Sequence, residues 1–132
     1  MNKNALLVLR LGLAITFLWV GVLILQSPEA WASYMQPWAA ALLPVPAVPA
    51  IQATAILDLA IGLFLLVGIF TPLASLLAAL HMLSVLIVTG INDVTVRDIG
   101  LLGASTALFL EVSQSILNRR AWSEFFLPKA KR

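Results

Sequence analysis

The sequence predicts an all-α fold: a polytopic membrane four-helix bundle with a short interfacial helix between helices 1 and 2. Three observations carry this. Of the 132 residues, 61% are hydrophobic and only 11% are charged. The mean hydropathy is +1.02. The apolar residues gather in four runs, each near the roughly 20 residues needed to cross about 30 Å of hydrocarbon. A soluble domain carries about a quarter of its residues as charged groups, so a soluble fold of this length would leave too much apolar surface in water. One domain, 1–132, accounts for the whole chain, with no separate soluble head.

The expected spans are 5–25, 51–70, 72–89 and 96–116, followed by an amphipathic tail at 117–132. Lipid offers no partner to an open backbone, so segments of this length are expected as helices. Thr71-Pro72 forms almost the whole link between the second and third spans, which predicts a tight antiparallel hairpin. Gly90-Ile91-Asn92-Asp93 supplies turn residues before the fourth span.

The first link, 26–50, is long. Ser27-Pro28-Glu29 reads as a helix start, with a capping hydroxyl, a proline at the first position and an acid in the first turn. Trp31, Tyr34 and Trp38 favour the headgroup level. The expectation is a short interfacial helix broken near Pro37, then an extended Pro44-Val45-Pro46-Ala47-Val48-Pro49 strut.

Orientation follows from Lys and Arg near the ends of the spans. Lys3 and Arg10 lie near the start, and Arg119, Arg120, Lys129, Lys131 and Arg132 follow the last span, whereas the first link has neither residue type. Both termini are therefore expected on the cytoplasmic side. The tail segment 122–128, with Phe125 and Phe126, is expected to rest on the inner surface. Ala30-Trp31-Ala32 also has the form of a signal cleavage site. The preceding run is long enough to span and tryptophan beside the cut is awkward, so retention of the segment is expected.

Charges inside a span each need a reason, since one at the centre costs roughly 2.5–3.5 kcal/mol on insertion scales. Arg10 and Glu111 both fall about 8 Å from the cytoplasmic end at 1.5 Å per residue. They make one expected ion pair. Asp58 falls about 10 Å from the opposite end, where Arg97 is expected to reach it as a second pair. Arg97, Ala104 and Glu111 are seven apart, on one helical stripe with Gly100 and Ala107. That stripe is expected to face the bundle. Gly62, Gly68, Gly100 and Gly103 are expected at close helix contacts.

Asp58, Arg97, Asp98 and His81 form the candidate ligand pocket. His81 falls near the midplane, where an imidazole suits a proton relay or a hydrogen bond to a quinone carbonyl. Its plainer role is a neutral side chain bonded to a neighbouring helix. A single histidine cannot give bis-imidazole haem ligation, and no second one shares a metal with it. The chain has no cysteine, which excludes thiol chemistry and iron–sulfur ligation. No covalent cofactor or metal site is expected, and no confident catalytic residue emerges: phosphate loop, nucleophile–base pair and dinucleotide fingerprint are all missing. The net charge of +2 is not gathered on a folded face, so no nucleic-acid partner is expected.

The stretch Val96-Arg97-Asp98-Ile99-Gly100-Leu101-Leu102-Gly103-Ala104 resembles the signature opening the last helix of the DoxX family. Arg10-Leu11-Gly12 and Phe17-Leu18-Trp19-Val20-Gly21 resemble the family's first helix. Asp58-Leu59-Ala60-Ile61-Gly62-Leu63 and Gly68-Ile69-Phe70-Thr71-Pro72 resemble its second helix and tight turn. The resemblance implies a four-helix bundle in a bacterial-type plasma membrane and kinship with DoxD, the membrane subunit of a thiosulfate:quinone oxidoreductase. Two positions depart from the pattern. Asp58 stands where the family often has glutamate, and Ile24 stands where a basic residue often follows Gly21 by three. The implied function is that of a subunit or accessory in a quinone-linked redox system, with quinone as ligand and a redox protein or a second copy as partner. A non-catalytic membrane scaffold and a small-solute permease stand as alternatives.

Overall fold

The computed structural model describes residues 2–126, with side chains through Asn118. Six helices follow in order: α1 (Lys3–Gln26), α2 (Pro28–Ala32), α3 (Pro37–Leu42), α4 (Ala47–Val67), α5 (Thr71–Thr89) and α6 (Val96–Phe126). Four are long and apolar enough to cross a membrane: α1, α4, α5 and the part of α6 spanning Val96–Asn118. The all-α membrane bundle read from the sequence is the fold. The surface anchor expected of 122–128 depends on side chains outside the described residues, while the α6 backbone runs on as helix through Phe126.

The helices form a ring in the order α1, α4, α5, α6, with the most extensive packing within the pairs α1/α4 and α5/α6. The α1/α4 seam is built from the same pattern on both sides: Ala14, Leu18 and Gly21 on one helix, Ala55, Leu59 and Gly62 on the other. A methyl added at Gly62 would lie 2.9 Å from the Leu18 nitrogen and 3.0 Å from the Ala14 carbonyl oxygen. One added at Gly21 would lie 3.0 Å from the Ala55 carbonyl oxygen and 2.8 Å from Leu59 Cγ. Each glycine thus accepts the leucine of the opposite helix, the small-residue route to close backbone approach in lipid. Gly100 and Gly103 behave differently: a Cβ at either meets nothing within 4 Å.

The turn between α4 and α5 is Gly68-Ile69-Phe70, and Thr71-Pro72 belongs to the first turn of α5. Pro72 sits where the missing N–H costs no helical bond. Gly68 (φ 82°) and Phe70 (φ 49°) are both left-handed. Glycine adopts this conformation freely, whereas phenylalanine does so at a cost of about 1–2 kcal/mol. The Phe70 ring meets Phe64 edge-on at 6.2 Å, a contact that helps hold it there.

The first link forms a cap across one end of the bundle. Pro37 opens a second short helix, so the break falls at 33–36 instead. Ser27 occupies the N-cap position of α2 without a side-chain capping bond. The expected extended strut does not form: Pro44 and Val45 are bends, and α4 begins at Ala47 and takes Val48 and Pro49 into its first turn. The N–H groups of the first helical turn have no intrahelical acceptor, so a proline is tolerated there. Gln36 clasps the cap to the end of α5: its backbone N–H donates to the Val88 carbonyl (2.9 Å) and its side-chain amide to the Thr89 carbonyl (3.1 Å).

Candidate functional site

The two ends of the bundle differ. The turn end is packed solid around Leu13, Ile61, Leu65, Ala74, Ala78 and Leu108. The cap end holds a cavity of about 210 Å³. Phe17, Val20 and Ile24 of α1, Met82, Val85 and Val88 of α5, and Leu101 of α6 give it apolar walls. Trp31, Tyr34, Met35 and Leu43 of the cap close over it. Trp31 and Tyr34 pack edge-on at 6.4 Å.

Asp58 and His81 lie where the packed half meets the hollow half. Asp58 is 1% exposed and His81 7%. His81 Nε2 approaches Asp58 Oδ1 to 3.0 Å, joining α4 to α5. Oδ1 is fully buried and faces the imidazole at that distance. The sequence places both residues in the pocket but pairs Asp58 with Arg97. The reason for the difference is the start of α4. Beginning at Ala47, the helix carries Asp58 about 16 Å along its axis, level with the middle of α5, rather than the expected 10 Å.

Arg97 and Asp98 line the same cavity from the first turn of α6, and Arg97 is largely exposed. Thr95-Val96-Arg97-Asp98 has the form of a capping box, in which the acid reaches back to the first N–H. Asn92 does this instead, its Oδ1 accepting from the N–H groups of Val94 (2.9 Å) and Thr95 (3.0 Å). The Asp98 carboxylate is therefore not needed for capping, and it faces the cavity.

The stripe through Arg97, Ala104 and Glu111 does not form the buried seam of α6. The buried seam runs through Thr95, Asp98, Leu101, Ser105, Leu108 and Val112, about one residue further round the helix, while Arg97, Gly100 and Ala107 face outward. Arg10 lies with its guanidinium against Gly68 at the C-terminus of α4. A cation belongs there, since the helix dipole is negative at that end. Glu111 is half-buried on α6.

Sequence reasoning missed one set of polar groups. Thr16, Thr54, Ser84, Thr89 and Thr95 all line the cavity. A hydroxyl every few residues along four apolar spans is a faint signal, and only the fold brings them together. Among the described residues, no group of three or more His, Asp or Glu side chains is arranged to hold a metal ion.

Four spanning helices around a cavity, capped at one end, define a polytopic membrane protein with a pocket inside its helix bundle. The DoxX family model matches residues 5–91, and the chain belongs to the DoxX family. The match covers α1 through α5 and ends before α6, so the resemblance of 96–104 to the family's last helix lies outside it. Neither the curated proteins nor the solved structures contain a match to this chain.

Proposed function

We propose that this DoxX-family protein binds the ring of a quinone-class molecule in the cap-end cavity, as the membrane subunit of a quinone-linked redox system. The observation that supports it is a cavity with apolar walls and a buried carboxylate–imidazole pair at its floor. The volume of about 210 Å³ lies below the roughly 300 Å³ where drug-sized pockets begin. It suits one substituted ring, with any isoprenoid tail left outside. The ring would supply the redox chemistry. The chain's residues hold it: apolar walls exclude water, and Asp58 with His81 handles a proton at the ring oxygen. With no cysteine for thiol chemistry, the electrons are assigned to a partner redox protein.

The test is calorimetric titration of the detergent-solubilised protein with trimethyl-1,4-benzoquinone and its hydroquinone. Saturable binding of either form, lost in a Val85→Trp variant that fills the cavity, is the expected result. If the parent binds neither form, the cavity is not a quinone site and its polar pair serves as a helix-to-helix tie.

We also propose that both termini face the cytoplasm of a bacterial-type plasma membrane, which puts the cap and the cavity mouth on the outer side. The supporting feature is the lack of Lys and Arg from 26 to 50 against their presence at both chain ends. Cysteines introduced singly at Asn2 and Ala40 should differ in labelling by an impermeant maleimide on intact cells. Ala40→Cys is expected to react and Asn2→Cys to stay protected; the reverse pattern would invert the topology.

A further inference from the structure

The hydrogen-bond directions inside the cavity carry information beyond its size. Thr16 Oγ1 donates to the Gly12 carbonyl at 2.9 Å, Thr54 Oγ1 to Ile51 at 2.7 Å and Ser84 Oγ to His81 at 2.7 Å. Thr89 Oγ1 donates to Val85 at 2.7 Å and Thr95 Oγ1 to Gly90 at 2.6 Å. A hydroxyl has one hydrogen, and all five have given it to a backbone carbonyl. What they offer a ligand is lone pairs.

The acids act in the same sense. The Asp58 carboxylate lies in the lining with His81 Nε2 at 3.0 Å, and the Asp98 carboxylate, freed from capping by Asn92, faces the same space. A neutral His81 that keeps its proton on the nitrogen facing Asp58 leaves its other nitrogen as an acceptor. Besides the His81 N–H turned to Asp58, the donors in the lining are Trp31, Tyr34 and Arg97, which belong to the cap and to the start of α6 and are partly or largely exposed. The hydrogen-bonding capacity left for a ligand is therefore acceptor-rich inside and donor-bearing towards the mouth.

A quinone ring brings two carbonyl oxygens and no donor; its hydroquinone brings two O–H donors on a ring of nearly the same size. Resting on the quinone-class reading above, we infer that the site selects the hydroquinone, with one phenolic O–H donating to Asp58. The oxidised ring would set its own oxygens against these lone pairs. Leaving a buried polar group unsatisfied is the expensive outcome, so a preference of about tenfold or more for the reduced ring is expected. For a two-electron couple, each tenfold raises the potential of the bound ring by about 30 mV, so the site favours the reduced state of whatever ring it holds.

Anaerobic calorimetric titration of the parent protein compares three probes: trimethylhydroquinone, trimethyl-1,4-benzoquinone and the dimethyl ether of the hydroquinone. The ether keeps the ring but has no O–H. The hydroquinone should bind at least about tenfold more tightly than the other two, which should resemble each other. Asp58→Asn places an amide N–H where the carboxylate was and should shrink or invert the preference, a change that mere loosening of the helices would not produce. Should that variant fail to fold, the three-probe comparison on the parent still decides. Equal binding of all three probes, or tighter binding of the quinone, overturns the selectivity and leaves the quinone-class reading standing. No binding of any probe overturns both.

Discussion

Gly62→Val is expected to remove most of the folded population in mild detergent, and Gly62→Ala to lower the unfolding free energy by about 1–3 kcal/mol. Alanine is normally the better helix former by up to about 1 kcal/mol, so a loss would run against propensity. Steric contact is the cause. The new methyl would press on the Leu18 nitrogen at 2.9 Å and the Ala14 oxygen at 3.0 Å, and backbone atoms cannot swing aside as a side-chain tip can. α1 and α4 would have to separate, losing contact along their whole seam. Gly103→Ala is the matched control. Nothing lies within 4 Å of its Cβ, so its stability should change by no more than about 0.5 kcal/mol or rise slightly. Both are measured by reversible unfolding in mixed micelles. A Gly62→Ala protein as stable as the parent would contradict the close approach of the two helices.

The second large effect concerns the polar pair. His81→Leu is expected to cost about 1–3 kcal/mol, the usual consequence of leaving a buried polar group without its partner. The carboxylate of Asp58, 1% exposed, would then lose its imidazole neighbour at 3.0 Å. Asp58→Leu combined with His81→Leu should recover much of the loss, because two leucines suit an apolar interior better than one stranded acid. The measurement is a double-mutant cycle on unfolding free energy. Additive losses, with no recovery in the double variant, would mean that the two side chains do not depend on each other.

The four spans are legible because lipid demands length and apolarity, and both can be counted. Their rotations and starting points are not. A spanning helix has apolar residues towards lipid and core alike, so it lacks the one-sided periodicity that orients a surface helix in water. Hence the charges of α6 suggest a stripe along Arg97, Ala104 and Glu111, about one residue away from the seam that Leu101, Ser105 and Leu108 bury. The start of α4 is hidden by prolines, which suit an extended strut and a first helical turn equally well. Four residues of misplaced start shift Asp58 by about 6 Å and exchange its partner, Arg97 for His81. The sequence names the candidate residues; their pairing depends on a depth that it leaves open.

The uneven packing of the ring has a mechanical consequence. α1/α4 and α5/α6 are two stiff leaves, joined at one edge by the three-residue turn Gly68-Ile69-Phe70. Gln36 is a latch at the opposite edge, held to Val88 and Thr89 by two bonds. Between pivot and latch, the Asp58–His81 contact is a bolt through the spine of the book. Opening of the leaves would move atoms least at the turn and most at the cap. The cavity therefore lies where the hinge has its longest lever arm.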